Sequence, residues 1–185
     1  MKHLYIDQEI KYDGRQLHSL WAFRTFGLHG DSIVAWQGPC AVQLTEMVDQ
    51  EDVRQNAPIF SQAMLHFIVE HFHRDLEKAV WQQRLLIALI GERLNEKCSG
   101  QVKRHGDDLY LGDRKLSVSI ATLSPVSALI HVGLNVSSEG TPVPTVSLPE
   151  LGVGDIKEFA ETILQDYVRE VEGVNYARCK VRGVD

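Results

Sequence analysis

Lys115 is the residue of this sequence whose type and setting best suit chemistry. It stands near the start of residues 114–136, where two alternating runs flank a Ser-Pro break and so predict a β-hairpin. If the turn centres on the proline, Lys115 shares one face of the hairpin with His131, Gly133 and Asn135. A lone lysine on a polar face is usually a solvated charge. One that faces a glycine and a histidine is a candidate for binding a ligand.

The apolar residues of the hairpin predict how its two strands are paired. Those of the first strand are Leu116, Val118 and Ile120, and those of the second are Ile130, Val132, Leu134 and Val136. We expect both sets to enter one core, since a one-residue slip would expose one of them. This pairing places Lys115 nearly opposite Asn135, with Cβ atoms about 5 Å apart.

A second candidate for ligand binding is a glycine-rich stretch in the first quarter of the chain. Residues 27–32 form a glycine-punctuated loop, residues 33–36 a strand that stops at Gly38-Pro39, and residues 41–47 a further strand. A strand that ends in a Gly-Pro corner beside a Gly-x-x-Gly loop brings exposed backbone N–H groups to a ligand-accessible edge. The alternative is two tight turns in a β-rich domain.

Histidines and carboxylates elsewhere in the chain predict no metal site. His66, Glu70 and His71 nearly spell the zinc motif H-x-x-E-H, but with one residue too many for a shared helical face. As a strand, the segment turns His66 and His71 to opposite faces. The acidic run at residues 49–52 is typical of a solvated surface.

Charge and cysteine content limit the class of protein. The net charge of −6 argues against a general binder of nucleic acid or of anionic membranes, which would present a basic surface. The three cysteines are odd in number and far apart, as is typical of reduced thiols. With no leader or membrane-spanning run in the pattern, we expect a cytoplasmic chain in which residues 1–185 form a single domain.

The remaining elements must position these residues. Helical periodicity predicts two long amphipathic helices, over residues 75–97 and from residue 155 to Gly173. Alternating segments predict several strands, including an edge strand in the tail, residues 174–185. The implied fold is α+β, a mostly antiparallel sheet packed by two long helices on one face. An exposed edge strand also favours a homodimer.

Two blocks of the sequence resemble the lipoyl and octanoyl transferases and the biotin- and lipoate-protein ligases. In those families a lysine opens a strand within a pattern like R-K-[IL]-[SA], and the next strand ends in a pattern like H-G-x-x-L-N-V. Here R-K-L-S stands at residues 114–117 and H-V-G-L-N-V at residues 131–136. The families also have an arginine and a glycine-rich loop before Y-H-G-P-G; here Arg24, Gly27 and Gly30 precede W-Q-G-P-C. The whole chain resembles a small prokaryotic family of unassigned function that shares this fold.

The resemblance implies a biotin/lipoate-protein ligase-like fold of the class II aminoacyl-tRNA synthetase type. It implies a pocket for a small carboxylate or acyl ligand, lipoyl-, octanoyl- or biotin-like, with ATP or an acyl-adenylate as cofactor and a carrier-protein domain as partner. Lys115 would be the electrostatic catalyst, because a cation stabilises the charge that develops when an acyl carbon is attacked. The ligand-binding residues that it implies are Arg24, Gly30, Gly38, Pro39, Cys40, His131, Gly133 and Asn135.

The sequence also departs from these families. Octanoyl transferases have a nucleophilic cysteine in a P-C-G context, where this chain has L-P-E-L-G at residues 148–152. Glu150 cannot form the corresponding thioester. Cys40 is either a substitute nucleophile or a small wall residue. The K-W-P-N-D motif of the biotin ligases is replaced by H-G-D-D-L at residues 105–109.

Two functions from different classes therefore remain open. The first is an acyl or cofactor transferase, or an adenylate-forming ligase, that uses Lys115 electrostatically. The second is a noncatalytic descendant that binds a small ligand or a protein partner in the same groove.

Overall fold

The fold is built on a five-stranded sheet, with a three-stranded sheet beside it. A computed structural model describes residues 1–57, 59–141 and 143–184. Its strands are β1 (Lys2–Ile6), β2 (Ser32–Val42), β3 (Ile59–His71), β4 (Val102–His105), β5 (Asp108–Leu111), β6 (Arg114–Lys115), β7 (Ser117–Leu123) and β8 (Ala128–Asn135). The large sheet has the order β1-β2-β3-β8-β7 and the small one β4-β5-β6. Only the β1–β2 pair is parallel among the described strands, so the predicted α+β class with a mostly antiparallel sheet is confirmed.

The described part of the chain also contains four α-helices. They are α1 (Trp21–Phe26), α2 (Gln50–Gln55), α3 (Leu76–Lys97) and α4 (Ile156–Cys179). The two long helices start at aspartates whose side chains accept hydrogen bonds from backbone N–H groups: Asp75 from Lys78 and Asp155 from Glu158. Such N-caps satisfy donors that the first helical turn leaves unpaired.

The end of α4 was predicted wrongly. The helix does not stop at Gly173, and residues 174–179, which were predicted to be part of an edge strand, are helical. A glycine inside a helix costs only about 1 kcal/mol relative to alanine, so Gly173 alone does not end the helix. Residues 181–184 form no strand, and Asp185 lies outside the described residues.

Both faces of the large sheet are buried. On one face α3 and α4 pack over a core that includes Phe67, Val132 and Tyr167. On the other face the segment between β1 and β2 covers a second cluster that includes Trp36 and Met64. A strand between two buried faces carries apolar residues on both sides, so its alternation no longer shows which side faces the helices.

The predicted pairing of the central hairpin is wrong by one residue. Ser117 is paired with Leu134, Val118 with Gly133 and Ile120 with His131. The turn is a four-residue loop closed by Ser124 N–H donating to the Ser127 carbonyl, 2.8 Å apart, rather than a turn centred on the proline. Val118 and Ile120 therefore face the side of the sheet opposite to Ile130, Val132 and Leu134, and each side has its own core.

The alternation of side chains is interrupted at Leu116, between β6 and β7. Because of this interruption, the Lys115 side chain lies on the predicted side of the sheet despite the shifted register. Leu116 packs in the core on the helix side, and Ser117, which is paired with Leu134, faces the same side. The strict alternation therefore fails between these two residues. The N–H of Leu116 donates to the carbonyl of Leu109 at 2.8 Å, and the N–H of Lys115 to that of Pro144 at 2.9 Å. Lys115 thus belongs to the small sheet, although its side chain reaches the space over the large one.

Strand β2 is continuous where a Gly-Pro corner was predicted. The register shifts between Gly38, which is opposite Met64, and Cys40, which is opposite Ser61, as in a β-bulge. A Cβ on Gly38 would lie 2.0 Å from the carbonyl oxygen of Ile10. The glycine is therefore required because another part of the backbone crosses directly over it.

Candidate ligand-binding site

A cavity of about 330 Å³ lies over the face of the large sheet that is opposite α3 and α4. Its floor includes Met64 of β3, Val118 and Ile120 of β7, and His131 and Asn135 of β8. The walls come from Tyr12 and Leu17, from residues 46–52 around the start of α2, from the turn between β4 and β5, and from residues 141–145 (without residue 142). Parts of the chain that are distant in sequence therefore enclose one space.

Lys115 is the one lysine or arginine among the described residues that line this cavity. Its Nζ lies 2.6 Å from Oδ2 of Asp108, and the two side chains are 31% and 17% exposed. Burial alone would lower the pKa of Lys115, but the charge and the hydrogen bond of Asp108 outweigh it and raise this pKa. Burial raises the pKa of the Asp108 carboxyl, and the attraction of Lys115 offsets part of that rise. The amine is therefore protonated at neutral pH and held in one position.

Asn135 supports the backbone that carries this amine. Its Nδ2 donates to the carbonyl of Lys115 at 3.2 Å, and its backbone N–H donates to the carbonyl of Leu116 at 3.0 Å. The backbone N–H of Leu148 donates to the Asn135 carbonyl at 2.8 Å. Because Asn135 is 6% exposed, these bonds are protected from water and link β8 firmly to the end of β6.

Two buried histidines form a hydrogen-bonded pair, of which His131 lines the cavity and His66 lies behind it. Nε2 of His66 lies 3.1 Å from the carbonyl oxygen of Gly38, and Nδ1 of His66 lies 3.1 Å from Nε2 of His131. The ring of Tyr12 stacks on that of His131, with 3.8 Å between centroids. Burial lowers the pKa of His66 to about 4 and, with the neighbouring His66, that of His131 well below its usual value. Both rings are therefore neutral at pH 7.

The walls of the cavity are acidic. The carboxylates that line it are Glu46, Asp49, Asp52, Asp107 and Asp108. Asp49 is engaged as the N-cap of α2, where it accepts from the N–H of Glu51 at 2.8 Å. Burial and the neighbouring Asp49 raise the pKa of Asp52, while Lys115 lowers it. The described residues contain no group of three or more histidines, cysteines or carboxylates arranged to hold a metal ion.

Three predicted site residues meet at this cavity: Lys115, His131 and Asn135. Gly133 lies between the last two but is not part of the lining. The Met64 side chain covers it, since a Cβ on Gly133 would lie 2.9 Å from Cε of Met64 and 3.3 Å from Cγ2 of Val118. The small size of Gly133 makes room for protein side chains.

The Gly-Pro segment lies behind the cavity and positions residues that line it. The carbonyl of Gly38 accepts from His66, and that of Pro39 accepts from the N–H of Tyr12 at 2.9 Å. Cys40 is fully buried and outside the lining, and burial raises the pKa of its thiol to about 12. This thiol is protonated at neutral pH and is poorly suited to be a nucleophile.

Arg24 and Gly30 lie apart from the cavity. Arg24 is exposed in α1, and Gly27 ends that helix with φ 70°, its N–H bonded to carbonyls of the last turn. Gly30 has φ 86° and open space around it. The backbone N–H of Gly27 is therefore engaged in capping α1 and is not offered to a ligand.

Sequence reasoning missed Asp108 and Tyr12. A signal for Asp108 was present, because the short turn at Gly112 predicts that residues 109–111 pair with residues 114–115 and so brings Asp108 near Lys115. Tyr12 stands in Y-D-G, which indicates only a turn. Its stacking partner is distant in sequence, so no local pattern shows the contact.

The family model described as "Domain of unknown function (DUF366)" matches residues 1–182 of the chain. An uncharacterized protein of Methanocaldococcus jannaschii, MJ0805, is 37% identical over 180 residues, which cover 94% of this chain and 81% of that protein. A solved structure of a protein of unknown function from Pyrococcus horikoshi is 44% identical, covers both chains completely and superposes with a TM-score of 0.94.

More distant solved structures share the fold. The biotin protein ligase from Aquifex aeolicus, in complex with biotin and ATP, has a TM-score of 0.59 at 14% identity and covers 92% of this chain and 70% of its own. The protein Ta0514 from T. acidophilum, with bound lipoic acid, has a TM-score of 0.61 at 11% identity, with 93% and 86% covered. The predicted resemblance to the biotin and lipoate ligases is therefore confirmed at the level of fold. No helix in the described part of the chain has the length and apolar character needed to cross a membrane.

Proposed function

We propose that this chain, which belongs to the DUF366 family, binds a small carboxylate or acyl ligand in the Lys115 cavity and acts on it as an acyl or cofactor transferase or ligase. One observation carries the proposal: a half-buried ammonium group, fixed at 2.6 Å from Asp108, faces a cavity of about 330 Å³. A cation held in this way can bind a carboxylate or a polarised carbonyl without first being ordered by the ligand.

The chemistry follows from the charge of the amine. Attack on an acyl carbon places negative charge on its oxygen, and Lys115 can stabilise that charge from its half-buried position. Its ammonium has three N–H donors, and Asp108 engages one of them, so donors are left for the ligand. Asp108 keeps the amine protonated and thereby favours an electrostatic role over that of a nucleophile.

The acceptor of the acyl group comes from outside the cavity in this proposal. Cys40 is buried and its pKa is raised to about 12, so a thioester on this residue is disfavoured. We propose a carrier-protein domain as acceptor and ATP or an acyl-adenylate as the activated form of the ligand. Support comes from the fold shared with the Aquifex enzyme, which was solved with biotin and ATP, and with the T. acidophilum protein, which was solved with lipoic acid.

A second candidate is a noncatalytic protein that binds a small ligand in the same cavity. The charge of the walls favours it, because the five lining carboxylates oppose a single ammonium and would repel a nucleotide triphosphate. Arg24, the residue expected to meet a phosphate, is exposed in α1 and outside the lining.

Pyrophosphate release distinguishes the two candidates. The protein is incubated with ATP and lipoate, octanoate or biotin, and the same acids are titrated calorimetrically without ATP. Catalysis predicts release that disappears in Lys115→Ala but persists in Lys157→Ala. Lys157 is a matched control, because it also makes a 2.6 Å ion pair, with Asp7, on the exposed surface.

Binding without pyrophosphate release, lost in Lys115→Ala, would support the noncatalytic candidate. If Lys115→Ala retains all binding and all turnover, the cavity around this lysine is not the site and both candidates fail.

A further inference from the structure

We propose that the ligand of this cavity carries a cationic amine at the end remote from its carboxylate or acyl group, and that His131 accepts a hydrogen bond from that amine. This inference rests on the proposed function, because it concerns the same cavity, but it specifies a class of ligand that neither the fold nor Lys115 determines. It follows from the hydrogen bonds that the floor already makes.

The hydrogen-bond chain behind His131 determines which of its nitrogens carries the proton. The carbonyl of Gly38 can only accept, so Nε2 of His66 carries a hydrogen and, in a neutral ring, Nδ1 does not. Nδ1 of His66 must then accept from Nε2–H of His131. Nδ1 of His131 is left without a hydrogen, and it can therefore serve only as an acceptor.

This acceptor is accessible from the cavity. His131 lines the cavity and is 3% exposed, and none of the described residues hydrogen-bonds its Nδ1. Within the described part of the chain, Arg84 Nε alone is a fully buried side-chain nitrogen or oxygen without a partner, so Nδ1 of His131 is not sealed off. A largely buried acceptor without a protein partner calls for a donor from water or a ligand.

The other polar end of the cavity lies beside Lys115. His131 and Asn135 are four residues apart on β8, which separates their Cα atoms by about 13 Å. Between them Met64 and Val118 cover Gly133 and form an apolar surface. A ligand that fills this space has a polar group at each end and an apolar middle.

The net charge of the lining favours a cation over a second anion. Glu46, Asp49, Asp52, Asp107 and Asp108 line the cavity, whereas Lys115 is the one ammonium and is already paired with Asp108. Carboxylates at this density, partly shielded from water, attract an ammonium group and repel a second anion. An amine thus satisfies the acceptor at His131 and suits the net negative charge of the lining.

The test compares three acids that differ only in their terminal group: octanoate, 8-hydroxyoctanoate and 8-aminooctanoate, with six- and ten-carbon chains as length controls. Binding to the full chain is measured by calorimetry at pH 7. We expect 8-aminooctanoate to bind at least about tenfold more tightly than octanoate, the range of a hydrogen bond to a charged group. The preference should not change between pH 6 and pH 8, because His131 stays neutral.

Two variants separate this inference from the proposed function. His131→Phe keeps an aromatic ring to stack on Tyr12 but removes the acceptor, so it should abolish the preference for 8-aminooctanoate over octanoate. Lys115→Met should weaken all three acids alike.

Equal binding of octanoate and 8-aminooctanoate at every length would overturn the inference while the proposed function stands. Equal binding of the hydroxyl and amino acids would show that a neutral donor suffices and would also overturn it. If none of these acids binds, the inference is wrong, and the proposed function fails with it only if lipoate and biotin do not bind either. Should His131→Phe fail to fold, the comparison on the unmodified chain still decides.

Discussion

Nζ of Lys115 lies 2.6 Å from Oδ2 of Asp108, across a small sheet that stands beside the larger one. Asp108 begins β5 and Lys115 ends β6, with Tyr110 paired directly opposite Lys115. The partner of the lysine is thus supplied by β5, the strand that pairs with β6 in the small sheet. The pair fixes the charge of the cavity at the point where we propose that the ligand is bound.

Replacing Asp108 with asparagine should destabilise the fold and strengthen the binding of carboxylates. The substitution leaves a half-buried ammonium without its partner, which costs about 2 kcal/mol of unfolding free energy, between the values for exposed and buried pairs. It also removes the internal competitor of an anionic ligand. Urea denaturation and calorimetry with octanoate measure the two effects.

Asp7→Asn is the matched control, because it breaks the exposed Lys157–Asp7 pair and should change neither quantity measurably. The Lys115 pair also predicts a pH dependence. Since its folded pKa is raised, its contribution is complete below the ordinary lysine pKa of 10.5 and is lost as the pH rises through the raised value. Unchanged octanoate binding in Asp108→Asn would argue against direct contact between the ligand and Lys115.

The two floor histidines should make the fold sensitive to acid. The pKa of His66 is lowered to about 4 and that of His131 is also lowered, so the unfolded chain binds protons that the folded chain does not. Stability is therefore complete above the ordinary histidine pKa of about 6.5 and falls with decreasing pH toward the folded values. The two together give a slope of at most about 2.7 kcal/mol per pH unit.

Urea denaturation at intervals from pH 8 to pH 4.5 measures this slope. His131→Phe should reduce it, because one of the two proton-binding groups is gone. A slope that is the same in His131→Phe would show that other groups cause the loss of stability.

Gly38→Ala should destabilise the protein by several kcal/mol, or prevent folding. The added Cβ would lie 2.0 Å from the carbonyl oxygen of Ile10. Because this oxygen belongs to the backbone, the clash can be relieved only by moving the backbone of residue 10 or of β2. Thermal denaturation measures the effect, and the emission of Trp36, whose Nε1 donates to Ile10 O at 2.8 Å, reports local disturbance.

Gly154→Ala provides the contrast, because a Cβ at this position meets nothing within 4 Å and the backbone is not in the left-handed region. It should have little effect on stability. If Gly38→Ala is as stable as Gly154→Ala, the close crossing of residue 10 over β2 is not a packing constraint.

The cysteines should differ in reactivity. Cys179 is exposed, Cys98 is half-buried and Cys40 is buried with its pKa raised to about 12. Alkylation of the native protein at pH 8, followed by mass spectrometry, should modify Cys179 first and leave Cys40 unmodified until the chain unfolds. Cys40→Ser should keep full turnover in any acyl-transfer assay. Rapid labelling of native Cys40 would reopen a covalent role for it.

Local pattern in the sequence predicted much of the fold. Both long helices start where the Asp-capped periodicity places them, and β3 is a strand whose alternation separates His66 from His71, as predicted. The Lys115 and Asn135 motifs also led to the correct fold family. Helical and strand periods are properties of neighbouring residues, so the sequence by itself determines them.

The tertiary structure decided how these elements meet. The hairpin register differs by one residue from the prediction because Val118 and Ile120 face the second core and the cavity, whereas Ser119 faces α3 and accepts a hydrogen bond from Gln83. The stacking of Tyr12 on His131 and the bond between His66 and His131 join residues from three distant parts of the chain. Residue types and spacing indicated that a lysine and an asparagine would be close. Packing over long sequence separations decided that a carboxylate pairs with the lysine and that a tyrosine and a neutral histidine lie at the other end of the same cavity.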